Sequence, residues 1–246
     1  MVDLLRMFDM VEKLETIQMF KAIYINRKES DMFSFLDDIR CVKNRISVRK
    51  QIIDTSGVMF LGIVLGIISK YLDCTASNNL PFIIEYLDVR NFLGRFAIWI
   101  LLAVCISIYS VSPVRASVNV FVFFAGMVTS YYLYSKWIAG FFPKSYAMIW
   151  IGFTILSPLL AFICWYSKGS GKVALIISAG IIAVLFNMIF VYGWIYFSIR
   201  SLLEFIVLIC AVVVVRRTTM RDTIMMIGIG LVLAFVLKII IPFQYG

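Results

Sequence analysis

The residues best placed to do chemistry are charged side chains inside long apolar runs. Glu204 lies 12 positions before Arg216, so a helix with a rise of about 1.5 Å per residue places it about 18 Å from that basic boundary. A carboxylate at that depth in a membrane is costly, and it marks a paired or a functional position. Arg200 lies four positions earlier, where a helix brings two side chains together. The sequence therefore predicts an Arg200–Glu204 ion pair, with Arg95 as the second candidate partner.

A ligand-binding role is the other hypothesis for these charges. Arg95 and Arg200, together with the polar Asn119 and Asn187, could line a cavity that opens outward and favours an anionic group. Glu204 would then serve ligand binding or proton coupling instead of a purely structural pairing. The sequence leaves both hypotheses open.

Catalysis is not expected. The chain has no histidine, which excludes Ser-His-Asp hydrolysis and His-held zinc or haem. Its five cysteines are widely separated and odd in number, so they suggest neither a disulfide framework nor a CxxC metal site. The interior of the predicted membrane spans holds a single carboxylate, so the paired groups of acid–base or metal catalysis are missing. We expect no enzyme activity, no cofactor and no metal.

Two pairs of small residues are spaced for close helix contact. Gly62 and Gly66 form a GxxxG pattern in the first apolar run, and Ala179 and Ala183 form an AxxxA pattern in the fifth. Small residues four apart let another helix backbone approach closely. Such faces predict either docking of a partner subunit or second copy, or ordinary packing inside the bundle.

Composition identifies the elements that must position these residues. Of 246 residues, 62% are hydrophobic and 15% are charged, and the mean hydropathy is +0.97. Soluble domains have roughly 45–50% apolar and about 25% charged residues. The predicted fold class is therefore all-α, a polytopic transmembrane helical bundle. Seven runs approach the ~20 residues that a bilayer requires: 53–72, 92–111, 117–136, 146–166, 173–193, 196–215 and 222–242. Six spans are the alternative, because the first run is short and the fifth and sixth are nearly fused.

The N-terminal region differs in kind from the rest. Apolar residues recur there at three- and four-residue steps among many charges, in two stretches separated by the polar break Asn26–Glu29. This pattern predicts an amphipathic helical hairpin in the cytoplasm or on the membrane surface. We therefore divide the chain into residues 1–52, the hairpin, and residues 53–246, the transmembrane bundle.

Basic residues predict the orientation. With the N-terminus inside, the inner side holds 16 Lys and Arg against 7 outside, as the positive-inside rule requires. Seven spans then place the C-terminus outside a cell (plasma) membrane. Lys70 and Lys238 lie near span ends, where long side chains are expected to reach the lipid headgroups. The net charge of +9 is explained by anionic lipid, so we expect lipid contacts and no nucleic acid.

Two family resemblances follow from residues 57–242. With its glycine-spaced first span, Trp99 in the second and the Tyr131–Tyr132 pair ending the third, this region resembles an uncharacterised family of bacterial polytopic proteins. That resemblance implies a helical membrane topology and no activity. In size the bundle is also similar to the substrate-binding membrane subunits of energy-coupling-factor transporters. Those carry an alanine-spaced docking motif early in the chain, whereas here the alanine pair is late.

The sequence thus favours an integral membrane subunit of a transport or ligand-binding complex. It would bind a small anionic or amphiphilic ligand from the outer side. Residues 1–52, on the cytoplasmic side, and the small-residue faces would bind a protein partner. The alternative is a membrane scaffold or regulatory partner that assembles a complex without transporting anything.

Overall fold

A computed structural model describes residues 34–42, 46–193 and 195–240, without the side chain of Ser77. The chain divides into two compact units, Met1–Cys41 and Val42–Gly246. In the first unit residues 34–39 are helical; the rest of the predicted hairpin before residue 40 lies outside the described residues.

Where the second unit is described, its regular structure is helical apart from one short hairpin of strands. Its helices are α1 (Val48–Cys74), α2 (Phe82–Tyr86), α3 (Val89–Gly94), α4 (Phe96–Tyr109), α5 (Pro113–Trp137), α6 (Lys144–Trp165), α7 (Gly171–Ile189), α8 (Leu202–Val215) and α9 (Met220–Ile240). Strands β1 (Phe190–Tyr192) and β2 (Phe197–Ile199) pair antiparallel between α7 and α8. Short 3₁₀ turns occupy Ser77–Asn79 and Tyr166–Lys168.

Five helices in the described part of the chain are long and apolar enough to cross a membrane: α1, α5, α6 with the turn that follows it, α7 and α9. Two further apolar helices, α4 and α8, have 14 residues each. At about 1.5 Å per residue they are about 21 Å long, shorter than the ~30 Å hydrocarbon core. The protein is therefore an all-α membrane-type bundle in which two of the seven apolar helices are short.

The seven apolar helices run alternately between two ends of the bundle. We call one the Arg115 end, because the Arg115 guanidinium donates to the Gln51 carbonyl there at 2.7 Å and joins the beginnings of α1 and α5. Trp165 Nε1 donates to the Ser110 carbonyl at 2.8 Å, so α4 and α6 finish at this end. Arg217, just after α8, donates to two carbonyls of the connection between α6 and α7.

The opposite end is called the Arg95 end, after the residue between α3 and α4. The Tyr146 hydroxyl, in the first turn of α6, donates to the Gly94 carbonyl at 3.3 Å. The Lys238 ammonium, in the last turn of α9, donates to the Tyr192 carbonyl in β1. Both short helices, α4 and α8, begin on this side of the bundle.

Helix α4 is the wall shared by the two apolar clusters of the bundle. One face of α4, with Ala97, Leu101 and Val104, packs into a cluster with α7, α8 and α9. Trp99, on another face, belongs to a cluster built mainly from α5 and α6, with residues of α1 around it. A change in the position of α4 therefore affects both halves of the bundle.

The small-residue faces pack inside the chain. A Cβ atom on Gly62 would lie 2.3 Å from the Phe123 carbonyl oxygen, and one on Gly66 would lie 2.4 Å from that of Met127. Any side chain at these two positions would thus collide with the backbone of α5, which explains the GxxxG spacing. Ala179 and Ala183 are fully buried in the cluster of α7, α8 and α9.

The predicted helix over 92–111 is interrupted at Arg95. This residue has extended backbone angles, φ −99° and ψ 162°, between the end of α3 and the beginning of α4. The break releases carbonyl groups from helical hydrogen bonds. Trp99 Nε1 donates a hydrogen bond to the Leu93 carbonyl at 2.8 Å, and the Tyr146 hydroxyl donates one to the Gly94 carbonyl. An apolar composition alone does not signal such a break.

The predicted helix over 196–215 also begins later than expected. Residues 197–199 form strand β2, with Phe190 opposite Ile199 and Tyr192 opposite Phe197. These β-branched and aromatic residues favour a strand, and cross-strand hydrogen bonds satisfy their backbone without a helix. Helix α8 consequently begins at Leu202, close to the only carboxylate of that apolar run.

Candidate functional site

Glu204 pairs with Arg95 across the bundle. Arg95 Nη1 lies 3.4 Å from Glu204 Oε2. The glutamate side chain is 1% exposed, whereas the arginine side chain is 27% exposed. The pair therefore joins a carboxylate sealed inside the bundle to a cation that still reaches its surface.

Two helix beginnings position this pair. Arg95 is the residue immediately before α4, and no side chain caps that helix beginning. Glu204 is the third residue of α8, where the Ser201 hydroxyl accepts a hydrogen bond from the Glu204 backbone N–H at 3.4 Å. A carboxylate is favoured in the first turn of a helix, because the backbone dipoles place partial positive charge there. Local sequence therefore fixes Glu204 close to the beginning of α8.

The predicted partner, Arg200, is not the ion-pair partner that the geometry gives. Its backbone N–H donates to the Ile189 carbonyl at 3.1 Å, which ties it to the base of the β1–β2 hairpin. Because α8 begins only at Leu202, Arg200 and Glu204 do not share one helix face and the expected i,i+4 relation fails. Arg200 is still near enough to act electrostatically on Glu204. Arg95, the second candidate of the sequence analysis, is the residue in salt-bridge contact.

The Arg95–Glu204 contact leaves buried polar atoms without hydrogen bonds. Among the described residues, neither Glu204 oxygen has a hydrogen-bond partner, and Arg95 Nη1 has none either. The 3.4 Å contact is an ion pair without hydrogen-bond alignment. Buried polar groups are nearly always hydrogen-bonded in folded proteins. Both members of this pair therefore have unused hydrogen-bonding capacity, which a bound ligand, ion or proton could satisfy.

Asn187, at the same end of the bundle, forms its hydrogen bonds with α9 and β1 and not with the Arg95–Glu204 pair. Its side-chain N–H donates to the Ala234 carbonyl at 2.9 Å, and its oxygen accepts from the Tyr192 hydroxyl at 2.6 Å. These bonds connect α7, β1 and α9. Lys238 lies on the same tyrosine, with its ammonium 3.5 Å from the centre of the Tyr192 ring. Asn187 thus has two partners that hold the hairpin to α9.

Asn119 lies at the Arg115 end, far from the charge pair. It accepts a hydrogen bond from the Thr55 hydroxyl at 2.8 Å and donates to the Ser110 hydroxyl at 3.1 Å. Ser110 follows the end of α4, whereas Arg95 precedes its beginning. The length of α4, about 21 Å, therefore separates Asn119 from the pair, and the structure does not place it in a shared cavity with Arg95.

Lys70 is buried, contrary to the prediction from the sequence. It was expected to reach the headgroups, but its side chain is only 2% exposed and pairs with Asp73 at 2.6 Å. Its ammonium also lies 4.5 Å from the centre of the Phe141 ring, and the Tyr131 hydroxyl donates to the same aspartate at 3.2 Å. The lysine–aspartate spacing of three was the available signal, because a helix brings such residues together.

A narrow aromatic cleft lies beside the break between α3 and α4. Its walls include Gly94 of the break and a group of large aromatic residues: Trp99, Tyr131, Tyr132, Tyr146 and Trp150. The Tyr132 hydroxyl is buried there without a hydrogen-bond partner among the described residues. The cleft is small, and it shows that packing is incomplete next to Arg95.

Comparisons with known proteins add no relative. The chain matches no protein-family profile, no curated protein and no solved structure. The two family resemblances proposed from the sequence therefore stay predictions, and any function must be argued from the residues themselves. Within the described part of the chain, no group of cysteine and acidic side chains could hold a metal ion.

Proposed function

We propose that the protein is an integral membrane subunit of a transport or ligand-binding complex, and that it handles a small anionic ligand at the Arg95–Glu204 pair. The observation that carries the proposal is the buried pair itself, in which Arg95 Nη1 and both Glu204 oxygens have no hydrogen-bond partner among the described residues. A structural ion pair in an apolar bundle is expected to have its hydrogen bonds satisfied, because desolvated charges are otherwise costly.

The two short helices support a ligand-binding role. In transporters, helices that begin within the membrane point their positive ends at anionic groups, and irregular backbone occurs at that depth where it lines a cavity. Here α4 and α8 are both too short to cross a bilayer alone, and the pair lies at their beginnings. Arg95, which is partly exposed, is the residue that an approaching anion would meet first.

The proposal includes a membrane orientation. Seven passes result when the two short helices, with the segments that precede them, count as spans together with the five long ones. The N-terminus and the Arg115 end then lie on the cytoplasmic side of the cell membrane, because the basic residues are concentrated on that side. The Arg95 end and the C-terminus face outward, so ligand reaches Arg95 from outside. A reporter fused after Gly246 tests this orientation. If a reporter that is active only in the cytoplasm is active there, the C-terminus is inside and the six-span alternative is favoured.

A cytoplasmic partner completes the proposal. Residues 1–52, predicted from the sequence as an amphipathic hairpin, would bind that partner, for example an ATPase that drives transport. Deletion of residues 1–45 should leave the bundle inserted and abolish complex formation. Unchanged complex formation would remove the hairpin from this role.

The decisive experiment measures anion binding by the purified full chain in lipid nanodiscs. Sulfate, acetate and methanesulfonate are titrated while thermal stability is followed, since a ligand that binds the folded state raises its stability. We expect stabilisation that disappears in Arg95→Gln and persists in Arg221→Gln, an exposed arginine in α9. Native mass spectrometry of the same preparation identifies bound protein. A membrane partner without any anion effect would favour the scaffold hypothesis instead.

A further inference from the structure

We propose that an anion binds at Arg95 together with a proton that is taken up by Glu204, so that the site loads one anion and one proton. This inference rests on the proposed anion-binding function and specifies how that site is regulated. It concerns the charge balance of a buried pair of which only one member is accessible.

Arg95 cannot neutralise two anions equally. Its guanidinium has one described carboxylate partner, Glu204, at 3.4 Å. An anion that binds the exposed part of Arg95 competes with Glu204 for the same positive charge. Glu204 is 1% exposed, so it cannot exchange its partner for bulk water. A buried carboxylate that loses its counter-charge becomes neutral by taking a proton, because that costs less than a bare charge.

Several charged side chains of the described residues surround Glu204. Besides Arg95, they include Arg200, at the base of the hairpin, and Asp88, before α3. Helix α3 also packs against α8 and carries Arg90, which donates to the Thr75 carbonyl at 3.4 Å. The apolar helices packed against α8 add none: α4 has no charged residue, and the single lysine of α7 lies in its first turn, at the Arg115 end. Among the described residues, Arg95 is thus the cation in salt-bridge contact with Glu204.

One added monoanion at Arg95 would leave two negative charges on one guanidinium inside an apolar bundle. Uptake of one proton removes this excess charge: the anion pairs with Arg95, and Glu204 holds the proton on a carboxylate oxygen. Because neither Glu204 oxygen has a hydrogen-bond partner among the described residues, protonation breaks no hydrogen bond there. The protonated carboxyl group can then donate a hydrogen bond to the anion.

The test uses methanesulfonate, a monoanion that does not titrate near neutral pH and has no carboxyl group. Its dissociation constant is measured by calorimetry at several pH values on the full chain in nanodiscs. Linked uptake of one proton requires the dissociation constant to rise about tenfold per pH unit over the range in which free Glu204 is ionised. Difference infrared spectroscopy on the same samples should show a protonated carboxyl band that appears on adding methanesulfonate.

Two variants identify the carboxylate. Glu204→Gln should bind methanesulfonate with no pH dependence and without the infrared band, because a neutral amide mimics the protonated acid. Glu85→Gln, which changes an exposed glutamate in α2, should keep both the pH dependence and the band. If Glu204→Gln does not fold, the pH dependence of methanesulfonate binding in the wild type still decides whether binding is coupled to a proton.

The outcomes separate this inference from the proposed function. Methanesulfonate binding that requires Arg95, but is independent of pH in the wild type, would overturn the proton coupling and leave the anion site. A band that persists in Glu204→Gln would equally overturn it. If methanesulfonate, sulfate and acetate all fail to bind, both proposals are wrong.

Discussion

The two ends of helix α4 carry polar groups in opposite states. At the Arg115 end, Arg115 donates to the Thr55 hydroxyl, Thr55 donates to Asn119, and Asn119 donates to Ser110. Ser110 in turn donates to the carbonyl of Ile106 at 2.7 Å. We call this chain of hydrogen bonds the Arg115 network. Each of its side chains has a hydrogen-bond partner, and the network holds α1, the end of α4 and α5 together.

At the Arg95 end, the Arg95–Glu204 pair combines two opposite charges with buried atoms that have no hydrogen bond among the described residues. Glu204 is as deeply buried as any group of the Arg115 network, yet among the described residues neither of its oxygens has a hydrogen bond. Satisfied polar groups make a core rigid and specific, whereas unsatisfied ones cost stability. The difference indicates that the network is structural and that the Arg95–Glu204 pair is retained for another reason, which we propose is ligand binding.

The largest effect on stability is expected from Arg95→Gln. It removes the nearest counter-charge of the buried Glu204 carboxylate, which then either stays charged without that partner or takes up a proton at neutral pH; either costs about 3 kcal/mol of unfolding free energy. Reversible unfolding in mixed detergent micelles measures this loss. Lys144→Gln, an exposed cation at the same end, should change the free energy by less than about 0.5 kcal/mol. Equal effects of the two variants would mean that Arg95 does not neutralise a buried charge.

The next largest effect is expected from Asn119→Ala, which interrupts the Arg115 network. It removes the acceptor of the Thr55 hydroxyl and the donor to the Ser110 hydroxyl, and should cost about 2 kcal/mol. Anion binding at the other end should be unchanged, and titration of methanesulfonate on this variant checks that. Asn79→Ala, at an exposed position, is the matched control for the loss of an asparagine. A loss of anion binding in Asn119→Ala would show that the two ends are not separate in function.

The smallest effect on stability is expected from Glu204→Gln. The variant removes the buried charge and keeps the shape, and Arg95 is exposed enough to be hydrated, so the cost should stay below about 1 kcal/mol. The variant should still bind the anion, but the pH dependence of that binding should disappear. This separation of stability from function is what distinguishes the pair from the Arg115 network. A cost as large as that of Asn119→Ala would make the pair structural too.

The sequence predicted where the apolar helices lie better than it predicted where they begin. Each of the seven predicted runs contains one apolar helix, because an apolar stretch of that length has few alternatives to a membrane helix. The breaks at Arg95 and at the β1–β2 hairpin were missed, since hydropathy does not report how a carbonyl group is satisfied. Trp99 and Tyr146 provide that satisfaction from other turns and helices.

The site was predicted in part for the same reason. Burial of Glu204 and its need for a cation followed from its depth in an apolar run, and the structure has it 1% exposed beside Arg95. The choice of Arg200 as the partner failed because it assumed a helix through residue 200. The actual partner is 109 positions away in the chain, and only the tertiary fold brings it near. The sequence also predicts Asn119 in one cavity with Arg95, but the length of α4 separates these two residues.

A double-mutant cycle tests the pairing of Arg95 with Glu204 most directly. Unfolding free energies are measured for the wild type, Arg95→Gln, Glu204→Gln and the double variant, and for a second cycle with Arg200→Gln in place of Arg95→Gln. Our account predicts a coupling energy of about 2 kcal/mol for Arg95 with Glu204, so that the double variant recovers part of the stability lost in Arg95→Gln, about 1 to 2 kcal/mol. The Arg200 cycle should give a smaller coupling. A coupling near zero for Arg95, with the larger value for Arg200, would contradict the account.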